Sequence, residues 1–355
     1  MTSRTATFTP TAGFAPDAVY SARLAGGSSD PRIEDVSGNA LAADALWSFT
    51  THGLPTTFVD TSVADFSRGT LDASGYIGAA ADGELMLAPL AGSEFSGTTL
   101  SLGVPPAIWA SSPWSGTPSV TMGGGLLNVD GAFVSTNSLY GGSLSLEFAA
   151  TFTGAPYQHA GFAVTLSTGA WAMFSSSGGD GLYARSNNGG GQAPNTLIPG
   201  NWFGAQHRFG IVWTPSSVVY FIDGAQVASH GVSIGGPMRP MASDYEGDGD
   251  ALTIDWMRMT PYAAASAYLS GIFDATGTAT WTTATWTGAA PAGTAVVLSV
   301  RSGDAAVPNA TWTPFTVVTG PIDVTARYLQ YRLQLSSTVS AQTPVVHDVA
   351  IDLKR

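Results

Sequence analysis

HRFGIVWTPSSVVYFIDGAQVASH, residues 207–230, decides the fold class of this chain. In HRFGIVW, and again in VVYFI after the TPSS turn, every second side chain is bulky, which places those side chains on one face of an extended strand. Asp223-Gly224 then supplies a two-residue turn of the kind that requires positive φ. The stretch therefore predicts antiparallel β-sheet.

Composition extends this prediction to the whole chain. The 355 residues include 43 glycines, and no run of strong helix formers continues beyond about two turns. Short alternating segments separated by turn residues recur along the sequence instead. We predict an all-β protein made of tandem β-sandwiches.

The charge balance limits the kinds of ligand. The formal net charge is −12, only 11% of residues are charged, and Lys354 is the single lysine. This composition lacks the basic surface that nucleic acid or an anionic membrane requires, and no segment reaches the roughly 20 apolar residues of a membrane span. The absence of cysteine excludes disulfides, thiol catalysis and thiolate metal sites. Neutral polysaccharides or other glycans fit better as partners.

The N-terminal segment resembles part of a known family. Residues 1–52 contain TATFTPTAGFAPDAVYSARLAGG and DVSGNALAADALWSFTT, which resemble the second half of a bacterial immunoglobulin-like repeat. The opening strands of that family are missing. We therefore expect residues 1–56 to pack against the next domain, or to self-associate so that a strand from another molecule completes the sheet. MTSRTATFTP lacks the regions of a signal peptide. The protein is therefore either intracellular or has lost a leader. Because the sequence starts in the middle of the immunoglobulin-like repeat, we expect the second, an extracellular or cell-surface protein.

The central strands resemble a second family. Residues 95–262 include SLSLEFAATF, HAGFAVTL, WAMFSSS and GLYARSN, the hairpin at 207–230 and a closing LTIDWMRMTPY. They resemble the concanavalin-like jelly roll shared by laminin G-like lectin domains and laminarinase-type glycoside hydrolases, in which a H-x-F-x-I-x-W…Y-x-x-D-G hairpin and a final D-W-x-R strand recur. The resemblance implies a jelly-roll domain over 57–263, with residues 57–95 as connecting strands.

Residues 264–355 resemble a β-sandwich module of multidomain exported bacterial proteins. The segment opens with F-D-A, continues with S-V-R-x-G and ends with R-Y-x-Q-Y-R-x-x-L followed by T-P-V. In RYLQYRLQL the alternate residues from Tyr328 to Gln334 share one face, and those from Leu329 to Leu335 share the other. One face is predicted to be core and the other solvated, in a domain of structural or accessory role.

Catalysis by the laminarinase mechanism finds no support in the sequence. Those enzymes carry E-x-D-x-x-E on one strand, so that alternate carboxylates act as nucleophile and general acid. The chain has five glutamates, and none begins that pattern. We expect an exported, non-catalytic carbohydrate-binding protein. Two alternatives stay open: a glycosidase or polysaccharide lyase with a non-standard carboxylate set, and a purely structural cell-surface or fibre component.

Strand alternation in the central domain predicts a ligand-binding face. In QHAGFAVTL the small residues alternate with core residues, which leaves a shallow floor, and polar side chains of neighbouring strands point the same way. Aromatic platforms and polar groups together suit a sugar. The predicted ligand-binding residues are Glu147, His159, Trp171, Tyr183, Arg185, Asn187 and Trp202. Trp171, Trp202 and His159 have an alternative interpretation as ordinary core residues.

Two further segments complete the prediction. In SDYEGDGD, Asp244, Glu246, Asp248 and Asp250 alternate with small or flexible residues, which makes them a candidate calcium site; a solvated acidic turn is the alternative. Trp109 and Trp114 lie in PPAIWASSPWSG, whose composition predicts a loop, and one of them is a candidate cap for the groove.

Overall fold

The computed structural model describes residues 9–10, 12–35, 37–100, 109–166 and 168–355. The all-β prediction is confirmed, because 27 strands are accompanied only by one short α-helix and one 3₁₀ turn within these residues. None of the described helices is long and apolar enough to cross a membrane.

The first strands form a hairpin and then part of a sheet that the chain completes near its C-terminus. They are β1 (Val19–Leu24), β2 (Ala45–Thr50), β3 (Thr57–Asp60), α1 (Val63–Phe66), β4 (Thr70–Leu71), β5 (Gly75–Gly78), the 3₁₀ turn Ala80–Asp82 and β6 (Glu84–Leu87).

The central strands are β7 (Pro89–Ser93), β8 (Trp109–Pro113), β9 (Ser119–Gly123), β10 (Leu126–Asp130), β11 (Ala132–Thr136), β12 (Leu144–Thr151), β13 (Gln158–Ala163), β14 (Trp171–Ser175), β15 (Tyr183–Asn187), β16 (Asn195–Leu197), β17 (His207–Trp213), β18 (Val218–Ile222), β19 (Ala225–His230), β20 (Arg239–Asp244) and β21 (Leu252–Tyr262). The last strands are β22 (Ala265–Leu269), β23 (Phe273–Ala289), β24 (Thr294–Gly303), β25 (Thr316–Val317), β26 (Val324–Ser337) and β27 (Val345–Lys354).

The immunoglobulin-like segment contributes a two-stranded antiparallel sheet, β1–β2. Phe14 packs against Tyr20 and Phe49 on one side, whereas Leu46 is 71% and Trp47 is 49% exposed. A lone hairpin of this kind is marginally stable in water. Self-association through it stays a prediction, and residues 7–8 of its T-F-T-P signature lie outside the described residues.

The central strands form a jelly-roll sandwich of two antiparallel sheets. The eight-stranded sheet has the order β19-β18-β17-β12-β21-β10-β9, with β7 on β21, and the seven-stranded sheet has the order β16-β15-β14-β13-β20-β11-β8. Alternation along the strands sends one set of side chains inward, so that Phe148, Phe174 and Phe209 meet in the core with ring centroids 4.8 to 6.2 Å apart. The hairpin at 207–230 forms β17, β18 and β19 at one edge of the eight-stranded sheet.

The remaining strands form a ten-stranded sheet that wraps around a second core. Here the predicted grouping of residues 57–88 with the jelly roll is wrong: β3 and β6 pair with β27, and β4 pairs with β22. The jelly roll is therefore inserted between β6 and β22. Its entry and exit are neighbours, since the Ala263 amide donates to the Ala88 carbonyl at 2.9 Å.

A buried ion cluster joins the two sandwiches. Arg258 of β21 has a side chain only 6% exposed, and its Nε and Nη2 donate to Glu94 at 2.9 and 3.0 Å. Its Nη1 forms an ion pair at 2.5 Å with Glu84 of β6, although the angle departs from hydrogen-bond geometry. Burial lowers the pKa of Arg258, but the hydrogen bond and charge of Glu94 outweigh burial and raise it overall. The cluster fixes β21 against the C-terminal sheet.

Candidate functional site

The solvent side of the seven-stranded sheet, called here the outer face, is the candidate binding surface. Core-facing residues such as Phe162, Phe174 and Val134 are fully buried between the sheets, so their strand neighbours face outward. Register then aligns His159 with Ser175 and Ser243, and Tyr183 with Ser175 and Leu197. The outward strand positions are Ala110, Ser112, Phe133, Ser135, His159, Gly161, Ala163, Trp171, Met173, Ser175, Tyr183, Arg185, Asn187, Asn195, Leu197, Arg239, Met241 and Ser243.

Five of the seven predicted ligand-binding residues lie together on this face: His159, Trp171, Tyr183, Arg185 and Asn187. They occupy three neighbouring strands, β13, β14 and β15. Trp171 pairs across strands with Asn187, and Tyr183 donates from its hydroxyl to Asp180 at 3.0 Å. The half-buried Trp171 and Tyr183 rings stand at opposite ends of this three-strand patch.

An aromatic cluster extends the face in the other direction, and only Trp114 among its members was singled out from the sequence, as a candidate cap for the groove. Trp114 contacts Phe133 and Tyr245 with ring centroids 5.7 and 5.3 Å apart, and Tyr245 contacts Tyr157 at 5.9 Å. Tyr157 is 44% and Tyr245 is 42% exposed. The alternation of GAFVST, with Val134 in the core, was the available signal for Phe133. The loop prediction is wrong for residues 109–113, which form β8, with Trp109 buried in the core; residues 105–108 lie outside the described residues.

The centre of the outer face carries neutral polar groups that lack partners. Nδ1 of His159 and Oγ of Ser243 are buried without a hydrogen bond, and the two residues are cross-strand neighbours. Burial, assisted by the charge of Arg185, lowers the pKa of His159 to about 3, so the imidazole is neutral in ordinary buffers. Met173 and Met241 pack beside it, and such flexible side chains adapt readily to a bound molecule. An unpaired buried polar atom costs about 1–3 kcal/mol, which favours a hydrogen-bonding ligand here.

The charged side chains at the outward strand positions of this face are arginines. Arg239 donates to the carbonyls of Thr136 and Val164 at 3.1 and 3.2 Å, whereas Arg185 forms no ion pair with any described residue. None of the outward strand positions given above is Asp or Glu. The face therefore lacks the pair of carboxylates that glycoside hydrolysis requires on its strands.

The structure separates Glu147 and Trp202 from the other five residues. The predicted place of Glu147 is wrong, and Trp202 fits its alternative interpretation as a residue packed on the core. Glu147 lies on β12 of the eight-stranded sheet, where it pairs with Arg208 at 2.7 Å. Trp202 packs against the sandwich core, donates to the Pro199 carbonyl at 3.0 Å and contacts the ring of His207 at 5.1 Å. For Glu147, alternation had identified the face of the strand but not the sheet to which the strand belongs.

The four acidic residues of SDYEGDGD do not converge. Asp244 is fully buried and accepts from the Gln158 side-chain amide at 2.8 Å, while Asp248 accepts from the Asp250 amide at 3.1 Å. No group of three or more His, Asp or Glu side chains suited to a metal ion occurs within the described part of the chain. Calcium binding at Asp244, Glu246, Asp248 and Asp250 stays a prediction without geometric support.

A serine–histidine contact in the sandwich core is structural. The single Tyr220 hydroxyl proton goes to the Arg185 carbonyl at 2.6 Å, so Ser186 Oγ donates to Tyr220 at 2.7 Å. Nδ1 of His230 must then donate to Ser186 at 2.8 Å, and its Nε2 accepts from Thr196 at 2.9 Å. Since the Ser186 proton points away from the imidazole, this pair is not an activated nucleophile.

Comparison with family models finds one match, at the N-terminus of the chain. A family model described as a bacterial Ig-like domain matches residues 1–51. A search of curated proteins finds no match.

Similar solved structures are carbohydrate-active proteins. They include a glycosyl hydrolase family protein from Mycobacterium fortuitum, at 14% identity, covering 49% of this chain and 100% of that chain with a TM-score of 0.37. A lichenase from a mouse hindgut metagenome has 15% identity and a TM-score of 0.34, and the match covers 47% of this chain and 97% of that chain. A pseudo β-1,3-glucanase of Mycobacterium tuberculosis has 17% identity and a TM-score of 0.34, and the match covers 50% of this chain and 99% of that chain. Likeness at these identities and TM-scores transfers neither activity nor substrate to this chain.

Proposed function

We propose that this chain is an exported, non-catalytic carbohydrate-binding protein, and that the outer face of its jelly roll holds the saccharide. The observation that carries the proposal is the composition of that face. It combines half-exposed aromatic rings at both ends with neutral hydrogen-bonding groups in the middle and no strand carboxylates.

The chemistry of a sugar explains this combination. The C–H groups of a pyranose form an apolar surface, which packs on the ring of Trp171, Tyr183 or Trp114. Its hydroxyls bond Asn187 and the free donors of Arg185, and a hydroxyl that displaces the Met side chains reaches His159. Because the bound saccharide meets no pair of carboxylates on these strands, it is held without cleavage.

The test is a glycan array with the full chain, followed by calorimetric titration of the strongest ligand against Trp171→Ala and Tyr183→Ala. We expect each variant to bind about tenfold more weakly, equivalent to about 1.4 kcal/mol. Trp47→Ala is the matched control, since Trp47 is an exposed tryptophan outside the jelly roll. Reducing-end release is assayed on every ligand, and none is expected.

Each other outcome points to one alternative. Release of reducing ends that survives purification and is lost on outer-face substitution makes the protein an enzyme. If the folded protein binds none of the glycans on the array, the result favours a structural cell-surface role and refutes the proposal.

A further inference from the structure

A second cluster of arginine and aromatic side chains lies on the C-terminal sandwich, outside the jelly roll. Register pairs Ser299 of β24 with Arg332 of β26, and Arg301 of β24 with Gln330 of β26. Arg301 and Arg332 are therefore diagonal neighbours on one face of adjacent strands. The core lies on the other side, with Leu333 and Tyr331 fully buried.

Two aromatic rings from the segment after β24 cover these guanidinium groups. Arg301 lies over the rings of Trp312 and Phe315, at 5.4 and 4.7 Å from their centroids, and Arg332 lies over Phe315 at 4.6 Å. The segment is held in place, because Trp312 Nε1 donates to the Ala305 carbonyl at 3.0 Å. The rings pack against the guanidinium groups, and the Nε–Nη2 edge of Arg301 already donates to Gln330, which leaves its Nη1 end for another partner.

Neither arginine has a counter-charge. Among the described residues no carboxylate forms an ion pair with Arg301 or Arg332, and Arg301 donates only to the Gln330 side-chain oxygen. Nε of Arg332 is buried without a partner. Burial and the neighbouring Arg332 both lower the pKa of Arg301. By contrast Arg327, on the same strand, is held by both oxygens of Asp274 at 2.9 and 3.0 Å.

Two adjacent guanidinium groups without a counter-charge repel each other, and a bound anion removes that repulsion. We propose that Arg301 and Arg332, with Trp312 and Phe315, form a binding site for the carboxylate of an acidic saccharide. A planar carboxylate accepts two parallel N–H bonds from a guanidinium edge, and the rim of the aromatic cluster meets the sugar ring. The choice of a saccharide rests on the proposed function; the anion site itself does not.

The test is titration of the full chain with trigalacturonate, its fully methyl-esterified form and triglutamate. We expect trigalacturonate to bind, with the neutral ester and the peptide at least tenfold weaker. Arg332→Gln should weaken trigalacturonate binding at least tenfold. Arg327→Gln, which removes a paired arginine from the same strand, should leave it within about twofold.

The outcomes separate this site from the outer face. Trigalacturonate binding that persists in Arg332→Gln and is lost in Trp171→Ala refutes the second site, whatever the outer face binds. Equal binding of triglutamate refutes the saccharide assignment. If Arg332→Gln unfolds the protein, Arg332→Lys decides: it keeps the charge but loses the planar edge, and unchanged affinity contradicts the proposal.

Discussion

At the scale of single residues, burial shifts the pKa values of two side chains of the jelly roll, His159 and Asp244. His159 is held neutral on the outer face, so sugar binding there should not change between about pH 5 and 8. Asp244 lies on the opposite side of β20, where burial raises the pKa of its carboxyl to about 6 despite the hydrogen bond from Gln158. A carboxyl with this shift is more easily accommodated in its protonated form.

The raised pKa of Asp244 predicts a pH-dependent contribution to stability. The contribution is fully present below the ordinary pKa of 3.8 and is lost as pH rises through about 6. The unfolding free energy of wild type minus that of Asp244→Asn should therefore fall by about 2 kcal/mol between pH 4 and pH 7, because the unfolded carboxyl is already partly ionised at pH 4. Urea unfolding at intervals of pH measures it. A constant difference over this range would show that Asp244 titrates normally.

At the scale of elements, alternation predicted much of the outer face. The pattern of QHAGFAVTL and GLYARSNN is enough to place His159, Tyr183 and Arg185 outward, because the core demands every second residue of a strand. The same pattern turned Glu147 away from the core correctly but assigned it to the wrong sheet. Sheet membership depends on pairing between strands far apart in sequence, such as β12 with β21, which no local pattern encodes.

The pairing of β13 with β14 requires glycine at position 161. Alternation along β13 indicates only that this residue is small. Gly161 has φ of +154°, and an added Cβ would lie 2.4 Å from the Ala172 carbonyl oxygen and 2.7 Å from Met173 Cα. Gly161→Ala should lower the unfolding free energy by about 1–3 kcal/mol, because backbone atoms cannot move aside.

Gly210→Ala is the control for this substitution. Gly210 lies within β17 of the other sheet, and the nearest atom to an added Cβ there is Phe221 Cβ at 3.4 Å. Its stability should stay within about 0.5 kcal/mol of wild type. Equal effects of the two substitutions in urea unfolding would contradict the close approach at Gly161.

At the scale of the whole molecule, one sandwich is inserted into another. This insertion explains why the predicted start of the jelly-roll domain at residue 57 is wrong. The strands at 57–87 are short. Apart from the local β5–β6 pair they bond to strands more than 170 residues away, so no local sequence pattern assigns them to a domain. The junction is fixed by Arg258, whose two carboxylate partners come from either side of the insertion point.

Breaking this junction should be costly. Arg258→Met leaves Glu84 and Glu94 buried without a cation, and we expect a loss of about 3–5 kcal/mol in unfolding free energy. Arg208→Met removes an arginine from an exposed pair with Glu147 and should cost no more than about 1 kcal/mol. Chemical denaturation compares them, and equal losses would mean that the Arg258 cluster does not hold the two sandwiches together.

At the same scale, we propose that the outer face of the jelly roll holds a saccharide without cleaving it. The most direct measurement is a crystal structure of the full chain with its strongest array ligand, grown over days at the crystallisation pH. We expect an intact oligosaccharide across the seven-stranded sheet, with sugar rings on Trp171, Tyr183 or the Trp114 cluster. A cleaved ligand, or an intact one bound away from this face, would contradict it.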